Sequence, residues 1–101
     1  MRKKVDSYLG FAAKSRNLVS GNYSCLNAIK QKKLKLLILA EDLSENTAKK
    51  LTKLANENEI PFRNYGKSEE LSKVTGSQER GIFGITDVNF ADVILKEIDG
   101  E

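Results

Sequence analysis

The most concentrated charge in this 101-residue sequence is a cluster of four lysines within six residues, with no acid among them: Lys30, Lys32, Lys33 and Lys35. We call it the lysine cluster. Residues 1–35 hold nine Lys or Arg and one acid, a formal +8, whereas residues 36–101 hold eight and thirteen, a formal −5, which together give +3. Closely spaced ammonium groups favour phosphate, so one face of the protein is predicted to meet a polyanion. A basic surface that is merely solvated is the alternative.

The best candidates for enzymatic chemistry are two adjacent acids, Glu41 and Asp42, which follow an apolar run. Open α/β sheets bind ligands beyond the carboxyl ends of their strands, where two carboxylates can hold a magnesium ion. We favour the alternative, a polar strand exit before a helix, because no nucleophile or third ligand stands nearby. The sequence also lacks histidine, a phosphate-binding glycine loop and a dinucleotide fingerprint. We therefore expect no enzyme, no metal site and no cofactor.

Two further features carry polar or nucleophilic groups. The segment from Gly76 to Gly81 (GSQERG) is polar, is bounded by glycines, and contains Arg80, whose guanidinium can bridge a phosphate or a guanine. An ordinary helix-to-strand turn is an equal alternative for this segment. Cys25, the single cysteine, is interpreted as a small buried hydrophobic residue.

The elements that position these groups are predicted from periodicity. Helices are expected over residues 2–14, from Gly21 or Asn22 to about 31, from a Ser44 cap to near 58, from a Ser68 cap to Gly76, and over about 89–98. Strands are expected at 34–40, 61–65 and 81–86, with a short extended piece at 18–19. The run 34–40 is apolar throughout, so it is predicted to be buried on both faces. The fold class is therefore α/β, a three-layer α/β/α sandwich with a small mixed sheet.

Length and composition predict a single domain over residues 1–101 in a reducing compartment, with no disulfide. The basic N-terminus is interrupted by Asp6, Lys14 and Arg16, so it is not expected to be a signal peptide, and no run is long enough to span a membrane. The predicted location is cytoplasmic.

The run AIKQKKLKLLILAEDL, residues 28–43, resembles the signature A-(I/V)-x-x-G-x-A-K-L-V-I-I-A-E-D of the L-seven-Ae and L-thirty-e superfamily of kink-turn RNA-binding ribosomal proteins. The resemblance extends through residues 44–47, the Ile60-Pro61-Phe62 segment, residues 67–71 and Gly76, and it is strongest with the small bacterial members. It implies an α/β/α fold that binds RNA through the start of the second helix and the loop before the last strand.

In that superfamily the second helix begins Gly-x-Asn-Glu-x-x-Lys and reads tandem sheared G·A pairs. Here the glycine is Gly21, but the next three positions hold Tyr23, Ser24 and Asn27. A hydroxyl replaces the carboxylate that accepts from guanine, so base-edge readout is expected to be weaker, while Tyr23 offers a surface for base stacking. The second contact loop corresponds to three residues, Gln78, Glu79 and Arg80.

The sequence thus predicts a non-enzymatic protein that binds structured RNA, with ribosomal or kink-turn-like RNA as candidates. It is expected to act as a monomer without DNA or membrane partners. Phosphate contacts are assigned to Lys30, Lys33 and Lys35, and helix N–H contacts to Asn22 and its neighbours. Two alternatives stay open. One is a protein–protein adaptor of the translation or transcription machinery, and the other is a magnesium-dependent phosphate enzyme using Glu41 and Asp42.

Overall fold

The computed structural model describes residues 2–78 and 80–100. Within them lie five helices and four strands. The helices are α1 (Lys3–Lys14), α2 (Asn22–Lys30), α3 (Glu45–Glu57), α4 (Ser68–Thr75) and α5 (Val88–Asp99), and the strands are β1 (Leu18–Ser20), β2 (Leu36–Leu39), β3 (Phe62–Asn64) and β4 (Ile82–Ile85).

The four strands form one mixed sheet in the order β1-β4-β2-β3. Strand β4 pairs antiparallel with both β1 and β2, with Val19 and Leu37 each opposite Gly84, and β2 pairs parallel with β3. Strands β1, β2 and β3 therefore run in one direction and end at the same edge of the sheet, which we call the carboxyl edge. Since α2, α3 and α4 follow these strands, all three helices begin at that edge.

Two apolar clusters cover the two faces of the sheet. One contains Leu36 and Ile38 of β2 together with buried residues of α1, α4 and α5, and the other contains Leu37 and Leu39 with residues of α2 and α3. All four residues of β2 are completely buried, as expected for a strand with helices on both sides. The predicted three-layer α/β/α sandwich is confirmed.

Helix α2 lies close against β4 because Gly84 has no side chain. A Cβ at Gly84 would stand 2.2 Å from Leu34 Cδ1 and 3.3 Å from the Sγ atom of Cys25. The Leu34 side chain, which precedes β2, would have to move, and Cys25 of α2 would have to give by a few tenths of an ångström. This close approach fixes the height of α2 above the strand that carries the loop of residues 76–81 at its start.

The element predictions are correct in kind, and two details differ. The short extended piece at residues 18–19 is an edge strand of the sheet, β1, one residue longer than expected. Ser68 does not cap α4: the N-cap is Lys67, and Ser68 is the first helical residue. The predicted Ser44 cap is confirmed, since its hydroxyl accepts from the Thr47 N–H at 3.3 Å. Among the described residues, no helix has the length and apolar character needed to cross a membrane.

Candidate nucleic-acid interface

The carboxyl edge brings together the two segments singled out in the sequence, the start of α2 and the loop of residues 76–81. The Gly21 N–H donates to the Ile82 carbonyl at 2.8 Å, so the residue before α2 is tied to the first residue of β4. The guanidinium of Arg80 lies across this junction: a Cβ on Gly21 would be 3.5 Å from its Cζ and Nη1 atoms. Two segments some sixty positions apart in sequence thus form one surface.

Glycine suits position 21 because of its backbone conformation. The φ of Gly21, +93°, is one that residues with side chains rarely adopt. The helix that follows begins without a side-chain cap and without an acid in its first turn. Among the described residues no acceptor receives the N–H groups of Asn22, Tyr23 and Ser24. These three donors, at the positive end of the helix dipole, can bind an anion.

Ser72 holds Arg80 in place. The Ser72 hydroxyl accepts from the Arg80 N–H at 2.8 Å and donates to the Arg80 carbonyl at 3.3 Å, and Ser72 is only 6% exposed. Sequence reasoning missed this residue. The available signal was a polar residue beside Leu71 on the inward face of α4. Gly76 ends α4 in the left-handed conformation, as predicted, with φ of +70°. Gln78 is exposed, and the predicted contact residue Glu79 lies outside the described residues.

Three of the remaining predicted side chains of α2, those of Tyr23, Ser24 and Asn27, line one groove. Tyr23 is 83% exposed, and together with Ser24, Asn27 and Lys33 it lines a groove of about 360 Å³ between α2 and the end of α1. Asn22 faces a different groove, shared with α3. Lys30 is exposed in the last turn of α2, seven residues after Tyr23 and therefore on the same side of the helix.

The fold divides the lysine cluster. Lys33 belongs to the groove that contains Tyr23, whereas Lys32 and Lys35 line another groove, of about 490 Å³, together with Glu57 and Glu59. The Lys35 N–H donates to the Ile85 carbonyl at 2.7 Å, which places this residue at the edge opposite the start of α2. The four lysines are thus adjacent in sequence but do not form one continuous surface.

The two acids after β2 have structural contacts. A carboxylate oxygen of Asp42 accepts from both the N–H and the hydroxyl of Ser68, at 3.0 and 2.9 Å. These hydrogen bonds hold the pKa of Asp42 below its usual value. Glu41 lies 3.8 Å from the ammonium of Lys67. Within residues 2–78 and 80–100, no group of three or more Cys, Asp or Glu side chains is arranged to hold a metal ion.

Cys25 is completely buried, which confirms its interpretation as a core residue. Its Sγ lies 4.0 Å from the Val19 carbonyl oxygen. Burial raises the pKa of the Cys25 thiol to about 12, so the nucleophilic thiolate is scarce near neutral pH.

The chain is similar to known proteins over nearly its whole length. Residues 3–95 match the family described as Ribosomal protein L7Ae/L30e/S12e/Gadd45. The chain is 33% identical over 91 residues to RNA-binding protein YlxQ of Bacillus subtilis (strain 168), covering 90% of this chain and 91% of that protein. It is 30% identical to RNA-binding protein YlxQ of Enterococcus faecium, covering 98% and 95%.

A solved structure, described as that of a protein with unknown function from Bacillus halodurans C, superposes with a TM-score of 0.92 at 31% identity. The superposition covers 97% of this chain and 99% of the other. The agreement therefore extends over the whole fold, including the carboxyl edge. The extent of the family match and the identity to the YlxQ proteins establish that this chain belongs to the Ribosomal protein L7Ae/L30e/S12e/Gadd45 family.

Proposed function

We propose that this protein is a non-enzymatic, cytoplasmic RNA-binding protein that docks structured RNA, ribosomal RNA among the candidates, as a monomer. One observation carries the proposal: the Arg80 guanidinium lies against Gly21, so that a cation and the open N–H groups of α2 share one surface. Membership of a family of ribosomal proteins and the name RNA-binding protein given to two relatives support the same function.

The proposed mechanism is docking of the phosphate backbone. The N–H groups at the start of α2 donate to phosphate oxygens, and Arg80 offers a planar fork of donors to the same or an adjacent phosphate. Gln78 of the same loop adds an exposed amide donor, and the contact predicted for Glu79 stays a prediction. Lys30 and Lys33 add attraction along the outer side of α2, and Lys35 contributes from the opposite edge at longer range.

Sequence specificity is proposed to be weak. The positions that read sheared G·A pairs elsewhere in the superfamily hold Tyr23, Ser24 and Asn27 here, and all three side chains are exposed at the start of α2. Without a carboxylate to accept from guanine amino groups, the protein lacks the base-edge contact that distinguishes sheared G·A pairs, and phosphate contacts carry no sequence information directly.

The docking surface is tested by Arg80→Gln, with Lys96→Gln as the control. Lys96 is exposed in the last turn of α5, on the other face of the sheet, and its loss changes net charge equally. RNA affinity is measured over a range of salt concentrations with a kink-turn hairpin. Arg80→Gln is expected to lower the slope of log K against log salt by about one, and Lys96→Gln to leave it unchanged. Equal slopes in both variants would place the surface elsewhere, and binding without salt dependence would favour a protein adaptor.

Specificity is tested by comparing a kink-turn with the same RNA carrying Watson–Crick pairs in place of the G·A pairs. The wild type is expected to discriminate poorly. The triple change Tyr23→Asn, Ser24→Glu and Asn27→Lys should raise the affinity ratio by more than about tenfold, since one good base contact contributes roughly 1–3 kcal/mol. A wild-type preference of about a hundredfold would contradict the proposed weak readout.

A further inference from the structure

The groove beside α2 has a composition suited to nucleic acid. It is lined at one end by Tyr23 and Ser24 and at the other by Arg16, Lys33 and Thr86, with the amides of Asn27 and Gln31 between them. No acidic side chain is among its described lining residues. The rise of an α-helix places residue 31 about 12 Å from residue 23, the stacked length of three to four nucleotides at about 3.4 Å each.

Arg16 occupies a position where glycine would be easier to accommodate. Its φ is +63°, and it follows α1 in a Schellman motif, with the Arg16 N–H donating to the Ala13 carbonyl and the Asn17 N–H to the Ala12 carbonyl at 2.7 Å. The Asn17 carbonyl accepts from the Thr86 N–H at 2.9 Å, which ties the turn to the sheet. The guanidinium is therefore carried on a firmly held but strained backbone at the mouth of the groove.

Strain alone does not identify a binding residue, because Lys32 after α2 adopts the same conformation, with φ of +59°. What separates them is their surroundings. Lys32 shares its groove with Glu57 and Glu59, whereas Arg16 shares its groove with a second cation, Lys33. Within the described part of the chain neither Arg16 nor Lys33 forms a salt bridge.

We propose that this groove binds an unpaired RNA strand that continues from the structured RNA docked at the start of α2. A base stacks on Tyr23, the following phosphates pass Asn27 and Gln31, and Arg16 and Lys33 hold a phosphate at the far end. The inference rests on the proposed function, because the docked RNA delivers the strand to the groove. An exposed aromatic side chain leading to paired cations is the combination that single-stranded nucleic acid requires.

The experiment compares two RNAs, a hairpin and the same hairpin with four unpaired uridines added at either end. For each protein the measured quantity is the ratio of the two affinities at one salt concentration. The wild type is expected to bind one of the extended hairpins at least about fivefold more tightly than the plain hairpin, which is the scale of stacking one base. Tyr23→Leu should lose most of this gain, and because Tyr23 is 83% exposed the fold should tolerate the change.

The cation is tested by a matched pair, Arg16→Gly and Lys32→Gly. Each variant removes one positive charge and relieves one left-handed backbone, so both should melt at or above the wild-type temperature. Only Arg16→Gly is expected to reduce the gain from the extension, by about threefold, because Lys32 lies in the other groove.

The outcomes separate the two proposals. An extension that gives no gain, or an equal loss of gain in Arg16→Gly and Lys32→Gly, would overturn the groove as a strand-binding site while leaving the docking surface intact. Failure of the wild type to bind the plain hairpin would instead overturn the proposed function. A gain abolished by Arg16→Gly and kept by Lys32→Gly would support the groove.

Discussion

Helices α2 and α4 begin at the same edge of the sheet, but the N–H groups at their starts have opposite surroundings. The start of α4 is occupied by the protein's own carboxylate: Asp42, from the end of β2, accepts from the Ser68 N–H, and Glu69 and Glu70 stand in the first turn. Within the described residues, the start of α2 has no side-chain cap, its first turn holds no acid, and a cation, Arg80, lies beside it. Since a helix N-terminus favours an anion, α4 has an internal one and α2 is open to an external one.

The starts of α3 and α5 resemble that of α4 rather than that of α2. Helices α3 and α5 begin with local caps, in which Ser44 accepts from the Thr47 N–H and Asp87 from the Phe90 N–H at 2.9 Å. Among the helices after α1, within the described residues, α2 alone lacks a side-chain acceptor at its start. An open start forgoes about 1 kcal/mol of capping stabilisation and leaves these donors free to bind an external anion.

The largest expected effect comes from giving α2 an acid of its own. Asn22→Asp places a carboxylate in the first turn, near Lys50 and Lys53, which line the same groove as Asn22. Thermal unfolding should show a small gain in stability, about 0.3–1 kcal/mol, because the carboxylate complements the helix dipole. RNA affinity should fall by about tenfold in titrations, since the carboxylate competes with phosphate for the same donors.

The control for this change is Asn89→Asp. Asn89 is exposed in the first turn of α5, which begins at the opposite edge of the sheet, so the change in net charge and the helical context are matched. RNA affinity of this variant should stay close to that of the wild type. Equal weakening by both substitutions would mean that net charge, rather than the start of α2, governs binding.

A smaller effect on binding is expected from Ser72→Ala, which leaves α2 unchanged and frees Arg80. The change removes the acceptor of the Arg80 N–H, and the loss of a part-buried hydrogen bond costs roughly 0.5–1.5 kcal/mol in the free energy of unfolding. RNA affinity should fall a few-fold because the guanidinium is no longer held against Gly21. Thr52→Ala, which removes a hydroxyl that donates to the Lys49 carbonyl of its own helix, is the control. Unaltered RNA affinity in Ser72→Ala would contradict the assignment of Arg80 to the interface.

The sequence predicted the features that depend on neighbouring residues and missed the contacts between distant segments. The buried strand β2, the Ser44 cap and the left-handed Gly76 follow from patterns within a few residues, and all three are present. The Asp42–Ser68 contact joins residues 26 positions apart, and Asp42 lies in the segment after β2. Because this partner is distant in sequence, Ser68 was interpreted as a local helix cap. Periodicity assigns residues to faces but does not state which loops meet at an edge.

The same limit explains the candidate site. The family pattern predicted that the start of α2 and the loop before β4 act together, and the contact of Arg80 with Gly21 agrees with that pairing. The lysine cluster was expected to form one phosphate-binding surface, whereas a turn with Lys32 in the left-handed conformation divides it between two grooves. Side-chain direction in a turn depends on backbone angles that charge counting does not contain.

The smallest effect on RNA binding is expected from opening the start of α4 with Asp42→Asn. At pH 7 the melting temperature should fall by a few degrees, because a neutral amide is a weaker acceptor for the Ser68 N–H and does not complement the dipole. RNA affinity should remain within about twofold, since the start of α2 is untouched. Asp92→Asn, at an exposed position of α5, is the control.

The pH dependence of this difference tests its cause. Folding lowers the pKa of Asp42 below its ordinary value of 3.8, so the ionised carboxylate stabilises the folded protein above pH 3.8, and this stabilisation is lost as pH falls through the lower folded value. The gap in melting temperature between wild type and Asp42→Asn should therefore be constant from pH 7 to about 5 and close below pH 3.8. Asp99, whose pKa is lowered by Arg63, is present in both proteins and cancels in the difference. If the difference in melting temperature persisted at pH 2.5, the stabilisation would not come from the charge of Asp42. The contrast between α4 and α2 would then have a cause other than an internal anion.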